Sequence, residues 1–152
     1  MLHYRLLNQL EKIGVNNMSN RISIIYDRVR WEEKELFSAF EAKNIPFGKY
    51  DAKSLVLRSD DSDESIHSSF GSTLLQRCIS HYRGMLIAHY LESKNCLVVN
   101  SSNTSRICGN KFLSTLQFEE SDIKTPLTLF SFSDKSAAVS YTHLTLPTIY
   151  SV

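Results

Sequence analysis

Asp27, Arg28, Arg77, Ser80, Arg83 and Asn100 are polar residues that follow the ends of short apolar runs, where chemistry is most readily placed. A guanidinium pairs with a carboxylate through two parallel hydrogen bonds, so Arg28, Arg77 and Arg83 suit a ligand that carries one. Each can equally form a surface ion pair. Asp27 either grips an amine or holds Arg28 or its own turn. Ser80 stands where a helix needs an N-terminal cap. Asn100 either braces its loop or meets ligand. Lys111 follows Cys108-Gly109-Asn110. A lysine near a helix start is ordinarily solvated, yet its compact ammonium also works as a point charge on phosphate oxygens.

Other chemistries are poorly served. Cys78, Cys96 and Cys108 are odd in number and form no C-x-x-C pair, so reduced thiols are expected. The five histidines are scattered, which disfavours zinc. Asp60, Asp61, Asp63 and Glu64 lie close together in residues 59–65, but without the glycine turn and distant glutamate of a calcium loop. That stretch is expected to be a solvated loop, and no metal ligands are assigned in this chain. Seventeen basic residues against sixteen acidic ones give no electrostatic reason to propose nucleic acid or an anionic membrane. No apolar run approaches the roughly 18 residues that span a bilayer. The opening MLHYRLLNQLEKIG has no signal-peptide core, so a cytoplasmic protein is expected.

These residues need a scaffold. At 42% hydrophobic content, 152 residues suffice for one modest core. Ile22 to Tyr26 reads as a buried strand. Trp31 to Ala42 reads as a helix with Leu36, Phe37 and Phe40 inward and Glu32, Glu33 and Lys34 in water. A short strand is expected over 47–50 and another over 72–78, through Leu74 and Leu75. The periodicity predicts a helix over 80–94, burying Leu86, Ile87, Tyr90 and Leu91, with Asn95 as its left-handed stop. A fourth strand covers 96–99. Alternation of this kind argues an α/β fold with a parallel sheet, in which ligands collect beyond the carboxyl ends of the strands. Beyond Asn100 the pattern predicts a helical turn over 101–107, a helix over 111–120 and a strand over 127–132 behind Pro126.

The two ends read differently. Residues 1–17 form either an amphipathic helix or, if Met18 is the true start, a mis-called extension. Val139-Ser-Tyr-Thr-His-Leu is similar to the translated end of a transposase sequencing adaptor, so residues 138–152 are expected to be a foreign tail rather than a β-prone segment. The expected organisation is an extension over 1–20, a substrate-side domain over 21–100, the start of a second domain over 101–137, and the tail.

Three blocks carry a family resemblance. The first is Tyr26-Asp27-Arg28-Val29-Arg30 with the acidic helix start after it. The second is Arg77-Cys78-x-Ser80-x-x-Arg83-Gly84, then a helix and Val98-Val99-Asn100. The third is Cys108-Gly109-Asn110-Lys111, then a helix and Pro126-x-Thr128. In this order they resemble the N-terminal part of ATP-grasp carboxylate–amine ligases of the RimK/LysX type. Two positions depart from the pattern: Asn110 stands for an aspartate, and Asp122 for a glycine whose left-handed backbone Asp can still adopt.

The resemblance implies a Rossmann-like pre-ATP-grasp domain followed by the first helices and strand of an ATP-grasp domain. It implies ATP and Mg2+ as cofactors, with Lys111 reaching the nucleotide phosphates. Arg28, Arg77, Arg83, Asp27, Ser80 and Asn100 would lie on the acidic amino-acid side. The reaction implied has two steps, phosphorylation of a carboxylate by ATP and attack on the acyl phosphate by an amine. It would join α-aminoadipate or glutamate to the C-terminal glutamate of a small amino-group carrier protein (LysW-like) in lysine or arginine biosynthesis, in a parent expected to be a homo-oligomer. The family's second phosphate-binding lysine, lid loop and magnesium carboxylates follow the Pro-x-Thr strand, so this chain alone is expected to be inactive. One alternative is a RimK-like glutamate ligase with another protein or a cofactor as acceptor. Another is a non-catalytic α/β binding domain of flavodoxin or receiver type, disfavoured because Asp27 stands alone where a receiver needs paired acids.

Overall fold

The computed structural model describes residues 21–137. The expectations of an N-terminal helix, of a start at Met18 and of a foreign tail concern residues outside that range. The described chain runs β1 (Ile22–Tyr26), α1 (Trp31–Ala42), β2 (Phe47–Asp51), α2 (Asp63–Phe70), β3 (Thr73–Gln76), α3 (His81–Glu92), β4 (Leu97–Val99), α4 (Ser102–Cys108) and α5 (Lys111–Glu120). It divides after Arg106 into two compact units.

The first unit is an α/β fold built on an all-parallel sheet of strand order β2-β1-β3-β4. Parallel neighbours need crossover connections, and α1, α2 and α3 supply them. Both faces of such a sheet are covered, which is why Ile22, Ser23, Ile24 and Ile25 of β1 are all buried rather than alternating with exposed residues. Ile22 and Ile24 of β1 and Leu75 of β3 pack with Leu36 and Phe40 of α1. Ile25, Leu74 and Val98 pack with Ile66 and Phe70 of α2 and with Ile87, Ala88 and Leu91 of α3. Between them Ser23, fully buried, donates its hydroxyl to the Phe70 carbonyl. The sheet order reverses between β1 and β3: from β1 the chain moves outward to β2, then crosses back to β3 on the other side. The crevice at their carboxyl ends is the switch point where open α/β sheets bind ligands.

Four expectations need correcting. Glu33 does not face water; it is 0% exposed. The loop expected over 59–65 gives way at Asp63 to a helix, Asp63–Phe70. Ser62 caps it, accepting from the Ser65 amide at 3.2 Å, and Asp63 and Glu64 sit in its first turn, where negative charge favours the helix dipole. Only Ile66 and Phe70 are buried on α2, too sparse an apolar stripe to announce it. On α3 the buried residues are Gly84, Ile87, Ala88 and Leu91, while Leu86 is 46% exposed. Finally, residues 127–132 form no strand. A strand exists by pairing, and no described residue pairs with this segment.

The left-handed stops are where the sequence places them, at Asn95 (φ 57°) and Asp122 (φ 56°). Gly71 ends α2 with φ 78°, and a Cβ there would stand 2.0 Å from the Arg21 carbonyl oxygen, so only glycine fits. In the second unit, Asn110 caps α5, its side-chain oxygen accepting from the Phe112 amide at 3.0 Å and the Leu113 amide at 3.1 Å. Phe112 stacks on Phe130 with centroids 5.1 Å apart.

Candidate functional site at the switch point of the sheet

β1 ends at Tyr26 and hands the chain to Asp27, which is 5% exposed. Across the crevice β3 ends at Gln76 and continues through Arg77 to Ser80, the residue before α3. Asp27 closes the gap. One carboxylate oxygen accepts from the Ile79 amide at 2.9 Å; the other accepts from the Ser80 amide at 3.0 Å and from Arg83 Nη1 at 2.9 Å. The amides at the start of α3 would otherwise lack partners and would attract an anion. Here the protein's own carboxylate fills that place. Burial pushes the Asp27 carboxyl up, but the two amides and Arg83 outweigh it, so it stays ionised below its ordinary range. Of the alternatives open for Asp27, the geometry engages it with the turn and with Arg83. Ser80 occupies the cap position of α3, but its side chain makes no capping bond.

Beside this cluster lies a second one. Glu33 Oε1 accepts from Arg77 Nη2 at 2.8 Å and Nε at 3.2 Å, and from Arg30 Nη2 at 3.0 Å. Its Oε2 accepts from Arg30 Nε at 3.0 Å and from the Arg30 amide at 3.1 Å. Burial pushes the Glu33 carboxyl up, yet the bonds from the Arg30 side chain and backbone and from Arg77 bring it down to about 2. The carboxylate is therefore charged at every physiological pH, and both guanidiniums are locked by it. Neither is sealed from water: the side chains of Arg30 and Arg77 are 38% and 36% exposed.

The structure thus brings Asp27, Arg77, Ser80 and Arg83 to one crevice. Arg28 stands exposed at the same end of β1, and no described residue bonds to it. Asn100 stands exposed at the end of β4. Lys111 is an exposed first residue of α5, in the second unit. Sequence reasoning missed Glu33 and Arg30. Their signal was present, since Arg30 and Glu33 are three residues apart at a helix start, where side chains meet.

Cys78, half-buried at the end of β3, is no nucleophile at neutral pH: burial and nearby Asp27 push its thiol up to about 11. Among the described residues no group of three His, Cys, Asp or Glu is placed to hold a metal ion, and no helix is long and apolar enough to cross a membrane. A cleft of about 400 Å³ between α3 and α4 is lined by Met85, Leu86, His89, Ser102, Asn103 and Arg106, and none of the residues singled out above lines it.

Residues 22–107 match the family model of the LysX preATP-grasp domain. The α-aminoadipate–LysW ligase LysX of Sulfurisphaera tokodaii is 28% identical over 133 residues, covering 84% of this chain and 45% of that protein. The LysX ligase of Saccharolobus solfataricus is 30% identical over 112 residues, 74% of this chain and 39% of that one. The glutamate–LysW ligase ArgX of Sulfolobus acidocaldarius is 28% identical over 131 residues, 85% and 44%. Among solved structures, a RimK domain ATP-grasp protein of Sphaerobacter thermophilus superimposes with a TM-score of 0.63 at 23% identity, over 82% of this chain and 46% of that one. The chain spans less than half the length of these relatives.

Proposed function

The chain belongs to the LysX pre-ATP-grasp domain family, and from that premise we propose that it forms the amino-acid side of an ATP-dependent carboxylate–amine ligase. The ligase joins the amino group of α-aminoadipate or glutamate to the C-terminal glutamate of a LysW-like carrier protein. One observation carries the reading: Arg77 and Arg83 stand at the switch-point crevice, each fixed by a buried carboxylate, within the segment that matches the family. Arg28 adds a third guanidinium at the same strand end. A dicarboxylic amino acid suits such a rim, because guanidiniums bind carboxylates through paired, charge-assisted bonds. Similarity to both LysX and ArgX relatives supports either substrate.

Charge repulsion between a carboxylate and a triphosphate is the first obstacle to this reaction, and cations at the site relieve it. Lys111, solvent-exposed at the start of α5, fits contact with the nucleotide phosphates. Mg2+ would neutralise the remaining charge, but residues 21–137 offer it no cluster of ligands. Asp27 and Ser80 act in the rim rather than on the ligand: Asp27 holds Arg83, and the Ser80 amide holds Asp27. Asn100 lines the same end of the sheet.

Two measurements test the reading. Calorimetric titration of the chain with α-aminoadipate and with glutamate should show saturable binding of at least one. ADP release by a polypeptide extending this chain to its relatives' length should require the amino acid and the carrier together. Binding of neither amino acid, or ADP release indifferent to the carrier, would remove it.

A further inference from the structure

We propose that Glu33 is a positioning residue which clamps Arg30 and Arg77 into one fork, and that this fork receives the side-chain carboxylate of the amino-acid ligand. The proposal rests on the function argued above and names the part of the rim that selects a dicarboxylic ligand.

Two guanidiniums do not lie side by side unaided, because like charges repel. Here both donate to the same oxygen, Arg30 Nη2 at 3.0 Å and Arg77 Nη2 at 2.8 Å from Glu33 Oε1. Glu33 accepts from five N–H donors in all, and none of its side chain reaches solvent. Each guanidinium gives its Nε and Nη2 to Glu33, so each keeps its Nη1 edge, which bonds to no described residue. More than a third of each arginine side chain stays exposed. A triad built only for stability would gain from burying those edges or pairing them.

Charge decides what the fork takes. A single carboxylate locks two guanidiniums, which leaves one positive charge over. Glu32, in an ion pair 3.6 Å from Arg30 Nε, offsets only part of it, since its side chain is 39% exposed and the pair is screened by water. The ammonium of an amino acid is repelled by such a site. The carboxylate farthest from that ammonium is the end the fork accepts.

The test is calorimetric titration of the 152-residue chain with two ligands, α-aminoadipate and 2-aminohexanoate. They share a six-carbon skeleton, and the second ends in a methyl group. The unaltered chain should bind α-aminoadipate at least tenfold more tightly. Glu33→Gln should abolish that preference while leaving 2-aminohexanoate within about twofold. If Glu33→Gln does not fold, Arg30→Lys and Arg77→Lys serve instead, because each keeps an ion pair with Glu33 and removes one outer edge; each should lower the preference severalfold. A folded Glu33→Gln with the preference intact overturns the proposal, as does equal weakening of both ligands or an intact preference in both lysine variants. No preference in the unaltered chain overturns the arginine-rim reading itself, and the fork with it.

Discussion

Arg83, in the first turn of α3, places its Nη1 2.9 Å from Oδ2 of Asp27, the first residue beyond β1 and fifty-six positions earlier in the chain. The same oxygen takes the Ser80 amide, so a single carboxylate ties the end of β1 to the start of α3 and orients a guanidinium at the crevice.

Asp27→Ala should therefore do more than remove a charge. It leaves two amides at a helix start without their acceptor and a guanidinium without its partner. Loss of a buried, charge-assisted network of this kind costs about 3 kcal/mol. Urea unfolding should show the drop as a lower midpoint with an unchanged slope. A change below about 0.5 kcal/mol would mean that water replaces Asp27 at little cost.

Glu33 sets an acid limit on stability. Its carboxyl is lowered from the ordinary 4.5 to about 2 in the folded chain. A depressed carboxyl contributes stability that is fully present above the unfolded value and lost as pH falls through the folded one. The contribution, on the order of 3 kcal/mol, should thus hold above about pH 5 and fade toward pH 2. Asp27 is lowered too, so the comparison must be with Glu33→Gln. The two unfolding curves should lie far apart at pH 7 and converge near pH 2. A gap independent of pH would assign the loss to packing instead.

Two glycines should respond unequally to alanine. Gly71→Ala meets both a positive φ of 78° and a backbone oxygen 2.0 Å from the new Cβ. It should cost about 3 kcal/mol or more. At Gly84, inside α3, the new Cβ meets the Gln76 amide nitrogen at 1.5 Å, the far end of a half-buried side chain that can swing aside. Alanine also gains about 1 kcal/mol of helix propensity over glycine, so Gly84→Ala should lie within about 1 kcal/mol of neutral. Melting temperatures of the two variants check the contrast, and Gly84→Ala combined with Gln76→Ala should be no less stable than Gln76→Ala alone.

Lys111→Ala, made in a polypeptide of the relatives' length, should raise the KM for ATP at least tenfold, the loss of one charged contact to phosphate (about 1.4 kcal/mol). Its fold should be unaffected, since Lys111 is exposed and the cap of α5 belongs to Asn110. Unchanged KM and kcat would take the nucleotide role from this lysine.

The four strands of the sheet and the helices α1 and α3 were legible because period and punctuation coincide. The run Ile22–Tyr26 is apolar but for Ser23, since both sheet faces are covered, and Asn95 and Asp122 mark left-handed stops that few other residues tolerate. The family was legible too, from Tyr26-Asp27-Arg28 and Arg77-x-x-Ser80-x-x-Arg83 in sequence order. Helix α2 was not, because two buried residues, Ile66 and Phe70, leave almost no periodic trace in a serine-rich acidic stretch. Glu33 was misread for a related reason: a helix pattern says which face is polar, but a charged residue moves to the buried side when an opposite charge awaits it there.

By itself, then, the sequence determined the parallel α/β architecture and the residue types gathered at the carboxyl ends of its strands, since both follow from local periodicity and from the fixed polarity of βα crossovers. Only the tertiary structure decided which charges meet. Glu33 with Arg77 and Asp27 with Arg83 are pairs 44 and 56 positions apart, and ion pairs act over a few ångströms of space that the linear chain does not encode.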